Sequence, residues 1–304
     1  MSAVADSLHT LADLDHWSFA GKALAVVGRP VAHSLSPAIH NAALAEMAKT
    51  LPQFADWRYF KFDIAPEDLP RALGQFHRCD FQGLNLTVPH KSIAVEHLLA
   101  SDAFVRKAGA ANTLSAIPGG WRGANTDGYG LATALKEQLG RPLANTPVIL
   151  LGAGGAARGA AVECRDAGCS ELWIGNRTQA TLTTLLDELG TSPRGELHGF
   201  DLAHPPAHLP ADALVINATS LGLKPGDPAP VDLVKIPRPA GLYDMIYRPP
   251  QTALLRQAAA LGIPHANGLS MLIHQGARSL GIWTGATVPV DVMQAAARAA
   301  LSSS

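Results

Sequence analysis

The apolar run Pro147-Val148-Ile149-Leu150-Leu151 passes directly into Gly152-Ala153-Gly154-Gly155-Ala156-Ala157-Arg158. A buried strand, a glycine-rich turn and a small-residue helix start, in that order, constrain the fold more than any other feature of the chain. Gly152 permits a tight turn. Gly154 lets the backbone approach a pyrophosphate, and Gly155 or Ala157 permits close packing of the following helix. The helix start then offers unpaired N–H groups and a partial positive charge to phosphates. The pattern predicts a dinucleotide-binding unit. It begins near the middle of a 304-residue chain, so the N-terminal half has a separate task.

The next strand end indicates which dinucleotide. Leu172-Trp173-Ile174-Gly175 runs into Asn176-Arg177-Thr178. NAD sites usually place an acidic residue here to accept from the ribose 2′-hydroxyl. Arg177 instead offers a planar guanidinium, suited to a 2′-phosphate. The reading is NADP.

Strand and helix patterns alternate through the rest of the chain. Strands are expected at 23–28, 57–63, 83–87, 147–151, 171–175, 196–200, 213–217 and 242–245, and a hairpin at 111–124. Ser36 reads as a helix N-cap and Pro37 as a first helical residue, with Ile39, Ala43 and Met47 on one apolar face. Further helices are expected at 66–76, 90–99, 127–139, 269–281 and 289–301. Such alternation implies parallel sheets covered on both faces. Leu8, Leu11 and Trp17 set out a short amphipathic piece able to dock on the body. Disorder is the alternative for residues 1–20.

A net charge of −1 gives no electrostatic footprint for nucleic acid. The start carries acids and no basic region before an apolar core, and no run of about 18 apolar residues occurs, so neither signal peptide nor membrane span is expected. Cys79, Cys164 and Cys169 show no C-x-x-C spacing and fit a reducing cytoplasm. Twelve histidines form no H-E-x-x-H or compact cluster, so no metal site is expected.

Small polar residues cluster at strand ends in the first half. Ser34 and Ser36 are two apart and would face one side of an extended loop. Asn85 and Thr87 share one face of a strand that leads to Lys91. Asn112-Thr113 and Asn125-Thr126-Asp127-Gly128 follow, and Asp127 also suits a helix cap.

Together these segments resemble the shikimate dehydrogenase family, in its order, over roughly residues 22–300. The matching pieces are Val27 to Pro30, His33 to Pro37, His40-Asn41, Asn85 to Lys91, Gly109 to Thr113, Asn125 to Gly128, Gly152 to Arg158, Asn176 to Thr178, Asn217 to Ser220, Tyr243 to Tyr247, and Asn267-Gly268 to Gln275.

The resemblance implies an α/β enzyme of two domains. An N-terminal α/β substrate domain would take residues 1–126 and 268–304, with the C-terminal helices returning to it. A Rossmann-like domain would take 127–267. The implied reaction is reversible NADPH-dependent reduction of 3-dehydroshikimate to shikimate, in aromatic amino-acid biosynthesis. By match, Ser34, Ser36, Thr87, Asn112, Tyr247 and Gln275 line the substrate site, and Lys91 and Asp127 are the catalytic pair. Gly152, Ala153, Gly154, Gly155 and Ala156 with Asn176, Arg177 and Thr178 hold the cofactor. Met245 and Gly268 lie near the nicotinamide. Members of the family are monomers or homodimers.

One departure concerns the cofactor. Many NADP-using members carry a second basic residue three positions after the Thr of Asn-Arg-Thr. Here it is Thr181, so a clamp of two basic residues becomes a single arginine and a weaker NADP preference is expected. The alternatives are a quinate/shikimate dehydrogenase of degradative or secondary metabolism and a non-catalytic nucleotide-sensing protein. Intact Lys91 and Asp127 argue against the second.

Overall fold

Residues 7–190 and 195–302 are described by the structure, a computed structural model. They fall into two units. Unit 1 is the chain up to Thr126 with the segment from Ile273 onward, and unit 2 is Asp127–Leu272.

Unit 1 opens with β1 (Leu8–Thr10) and α1 (Leu11–Asp15). The elements β2 (Lys22–Gly28), α2 (Ser36–Met47), β3 (Trp57–Asp63), α3 (Leu69–Arg78) and β4 (Phe81–Leu86) then alternate. After them come α4 (His90–Ile93), β5 (Ala100–Ser101), α5 (Ala103–Ala108) and the hairpin β6 (Thr113–Ile117) and β7 (Gly120–Ala124). One sheet results, in the order β1-β3-β2-β4-β6-β7-β5. The first four strands are parallel neighbours, β4–β6 and β6–β7 are antiparallel, and β5 joins β7 in parallel. The expected apolar face of α2 is present, with Ile39, Ala43 and Met47 buried.

The N-terminal extension docks. β1 adds a parallel edge strand to β3, and Asp15 accepts from Arg71 and Gln75 on α3. Trp17 meets Phe60 edge to face with ring centroids 5.0 Å apart. Leu8, expected to dock, is 42% exposed; alternation along β1 turns it outward and brings His9 against Trp17 and Phe62 instead. Leu14 is the buried aliphatic anchor. Residues 1–6 of the expected extension lie outside the described residues.

The helix expected over 90–99 ends early. α4 stops at Ile93 and a 3₁₀ turn runs to His97. Leu98 is extended and Leu99 N–H donates to the Trp121 carbonyl, so pairing with β7 takes the chain out of the helix. Asp102 then caps α5 by accepting from Val105 N–H at 2.7 Å, and Gly109 closes it in the left-handed region.

Unit 2 comprises α6 (Asp127–Leu139), β8 (Pro147–Leu151), α7 (Gly155–Asp166), β9 (Glu171–Asn176), α8 (Gln179–Leu189), β10 (Glu196–Asp201), β11 (Leu214–Asn217), β12 (Gly241–Asp244), α9 (Ala253–Ala260) and β13 (His265–Asn267). Its sheet is parallel throughout, in the order β10-β9-β8-β11-β12-β13. The chain steps outward from β8 to β10 and then restarts at β11 on the other side of β8. The carboxyl ends of β8 and β11 therefore flank a topological switch point, the usual ligand crevice of such sheets.

The division between the units falls inside α10 (Leu269–Thr284). The rest of α10 and α11 (Val290–Ser302) belong to unit 1. There α11 packs on α2, and Trp283 Nε1 donates to the Leu114 carbonyl of β6 at 2.9 Å. Among the described residues no helix is long and apolar enough to cross a membrane, and no group of three or more His, Cys, Asp or Glu side chains could hold a metal ion.

Candidate active site

In unit 2 the turn after β8 lies at the switch point. Gly152 has φ 109°, and a side chain there would press on the Ala218 carbonyl at 3.1 Å. Only glycine fits that approach. Gly154 caps α7, and a Cβ on Gly154 or Gly155 would meet no atom within 4 Å. The turn thus leaves open space over the helix N–H groups, which fits a pyrophosphate. Of the two residues expected to allow close packing, Ala157 does so, being fully buried in the core. Gly155 faces open space, because the helix turns its first residue away from the sheet.

Arg177 is exposed just beyond β9. Asn176 Nδ2 donates to the Thr178 carbonyl at 2.9 Å and fixes this turn. Arg158 is ion-paired with Glu188. Beyond β12, Asp244 is completely buried and accepts from Asn217 Nδ2 at 2.9 Å, Thr252 Oγ1 at 2.6 Å and Ile246 N–H at 3.1 Å. Burial pushes its carboxyl upward, and these three bonds oppose the shift. Asp244 thereby ties down the turn carrying Met245 and Tyr247. Gly268 packs directly on the Met245 backbone, and burial also raises the Tyr247 phenol.

Unit 1 holds a different kind of site. Ser34 follows β2, and its Oγ accepts from Ser36 N–H at 3.2 Å. The expected cap is thereby corrected: Ser36 is the first helical residue and makes no side-chain cap bond. Ser34 reaches the orphan donor because the chain bends one residue earlier. Thr87 follows β4 directly; its methyl lies against Gly28, and its carbonyl accepts from His90 N–H at 2.8 Å. Lys91 is the second residue of α4, and its carbonyl accepts from Ala111 N–H at 2.8 Å.

Asn112 and Gln275 are 163 residues apart and meet, with Asn112 Nδ2 donating to Gln275 Oε1 at 3.1 Å. Asn112 Oδ1 accepts from Thr126 N–H at 2.8 Å. In the layer beneath them, sequence reasoning singled out Asn85 but not its partner Tyr59. Tyr59 donates from its hydroxyl to Asn85 Oδ1 at 2.8 Å, and Asn85 Nδ2 donates to the Asn112 carbonyl at 3.0 Å. The cue was Asn85 within the apolar strand Leu84-Asn85-Leu86, where an amide must find partners.

His40 stacks on Tyr59 with ring centroids 4.0 Å apart. Its Nδ1–H donates to the Ser36 carbonyl at 2.8 Å, while Nε2 is buried without a hydrogen-bond partner. Burial lowers its pKa from 6.5 to about 4. The unfolded chain therefore binds this proton between those values and the folded chain does not. Stability is full above pH 6.5 and falls as pH drops toward 4, by roughly 3 kcal/mol from this residue. Urea unfolding of wild type and His40→Leu from pH 7 to 4 checks this. The variant should lose most of the slope; an unchanged slope would assign it to other groups.

Comparison with known proteins identifies this arrangement. Residues 26–114 match the Shikimate dehydrogenase substrate binding domain, and residues 268–298 match the Shikimate 5'-dehydrogenase C-terminal domain. A shikimate dehydrogenase (NADP(+)) from Synechococcus sp. (strain JA-3-3Ab) is 40% identical over 288 residues, covering 92% of this chain and 94% of the relative. The chain belongs to the shikimate dehydrogenase family.

The family's solved structures agree with the fold. Shikimate 5-dehydrogenase from Thermus thermophilus, in complex with NADP(H) and shikimate, is 37% identical with TM-score 0.79, covering 92% of this chain and 99% of that one. A 5-ketofructose reductase of Gluconobacter sp. strain CHM43 is 31% identical with TM-score 0.80, covering 93% and 99%. The expected α/β class, oxidoreductase activity and NADP cofactor agree with these relatives. Thr181, where the resemblance led to the expectation of a second basic residue, is exposed on α8.

Proposed function

We propose that this shikimate dehydrogenase reduces 3-dehydroshikimate to shikimate, reversibly, in the biosynthetic direction of aromatic amino-acid metabolism. The observation that carries the substrate assignment is the buried Asn112–Gln275 pair. Two amides in contact set donors beside acceptors, which suits neighbouring ring hydroxyls. Ser34 accepts from Ser36 N–H through one lone pair, and its proton can donate to a carboxylate oxygen. Ser36 and Thr87 complete the lining that unit 1 contributes. A site of this kind discriminates against analogues that lack a hydroxyl, since its own groups would be left unpaired.

NADPH, when bound, supplies the hydride. Gly152 to Ala156 would hold its pyrophosphate, and Asn176, Arg177 and Thr178 would hold its adenosine end, with Arg177 suited to the 2′-phosphate. Met245 and Gly268 are the residues that would border the nicotinamide. The Lys91 ammonium polarises the ketone and delivers the proton to its oxygen, and its amine takes that proton back in oxidation. By the family resemblance, Asp127 is the second member of the catalytic pair.

Steady-state assays with shikimate, quinate and 5-ketofructose, each with NADP(H) and NAD(H), test the substrate. Shikimate with NADP should give the highest kcat/KM. A higher value for quinate would assign the chain to the degradative branch, and one for 5-ketofructose to keto-sugar reduction. Gln275→Ala should cost about 1–3 kcal/mol in shikimate kcat/KM, chiefly through KM, and leave NADP binding nearly intact. An unaltered shikimate KM would remove Gln275 from the site.

A further inference from the structure

Ser279 lies one turn after Gln275 on α10 and is fully buried. Its hydroxyl is a junction between segments far apart in sequence. Asn85 Nδ2 on β4 donates to it at 3.0 Å. Thr113 Oγ1 on β6 lies 2.8 Å away and Thr126 Oγ1 3.1 Å away. Its own proton reaches the Gln275 carbonyl oxygen at 2.9 Å.

A hydroxyl has one proton and two lone pairs. With the proton on the Gln275 carbonyl, the lone pairs take Asn85 and one threonine. The other threonine must then send its proton elsewhere. Asn112 Oδ1 is the acceptor within reach of both, 2.9 Å from Thr113 Oγ1 and 3.2 Å from Thr126 Oγ1. Ser279 thus decides which proton arrives at Asn112 Oδ1. Oδ1 also accepts from Thr126 N–H, and with Oδ1 committed to these donors the Asn112 NH₂ group points at Gln275 Oε1. Asn85, Asn112, Thr113, Thr126, Gln275 and Ser279 are all buried. In such a low-dielectric network a reversed amide would oppose like groups, and the cost is high.

We infer that Ser279 is a positioning residue for substrate recognition: it holds the Asn112–Gln275 pair in one orientation toward a vicinal diol. The inference rests on the assignment of that pair to the substrate. No motif marks Ser279; a serine on a helix reads as a solvated residue until β4 and β6 are seen to cover it.

The test is steady-state kinetics on the full chain carrying Ser279→Ala, Gln275→Ala and both, with shikimate and NADP. Ser279→Ala should raise the shikimate KM about 5–10-fold, the worth of one hydrogen bond. Its kcat should stay within about threefold and its NADP KM within about twofold. If Ser279 acts through Gln275, the double variant should be no worse than Gln275→Ala alone. Should the alanine variant fail to fold, Ser279→Cys keeps the bulk, weakens the hydrogen bonds and is expected to show the same KM rise. A shikimate KM within about twofold of wild type for the folded variant, or losses that add in the double variant, overturns the inference. Gln275→Ala separates the two claims. If it raises KM while Ser279→Ala does not, only the role of Ser279 falls. If it leaves KM unchanged, the substrate assignment falls and takes this inference with it.

Discussion

Replacing Lys91 with alanine should lower kcat by about 10²–10⁴-fold and change the shikimate KM far less. That is the usual worth of a placed acid or base. The residue sits where strand β4 gives way to the short helix α4, and its carbonyl is tied to Ala111 N–H. The backbone is thus anchored whether or not the ammonium is present, so truncation should remove chemistry and leave the fold. A kcat within about threefold of wild type would reduce Lys91 to a binding or surface lysine.

The second large effect concerns Arg177. Arg177→Ala should cost roughly 1.5–3 kcal/mol of NADP affinity, the scale of a charge-assisted contact, and leave NAD nearly unaffected. Thr178 and Thr181 follow it without a second cation, and Arg158 is engaged with Glu188. A single guanidinium should make NADP preferred by a smaller margin than a clamp of two would. Isothermal titration with both dinucleotides reads this directly. Equal losses for NADP and NAD would mean that Arg177 supports the turn or the adenine instead.

Much of the fold was legible because its strands are long buried runs. Lys22–Gly28 and Pro147–Leu151 read as strands since each must be covered on both faces. β1, β5 and β13 were not legible, being two or three residues long and held by pairing with a neighbour. α5 carried a readable signal, Asp102 before and Gly109 after, in a stretch for which no element was expected. At the site, the residues proposed to face a ligand stood out as polar motifs at strand ends. The layer behind them did not. Tyr59 and Ser279 are ordinary residues in ordinary patterns, and the His40-Asn41 motif gave no sign of what His40 packs on; the layer forms only when β3, α2 and α10 come together.

Above all, the proposed function requires that this chain move a hydride between NADPH and 3-dehydroshikimate. That hydrogen can be followed itself. NADPH deuterated at one or the other transferable position of the nicotinamide is mixed with enzyme and 3-dehydroshikimate, and the product is weighed by mass spectrometry. One of the two labels should appear in shikimate as a single deuterium on the carbon of the reduced ketone, and the other should remain on the cofactor. Shikimate free of deuterium with both labels, or no shikimate at all, would contradict the assignment.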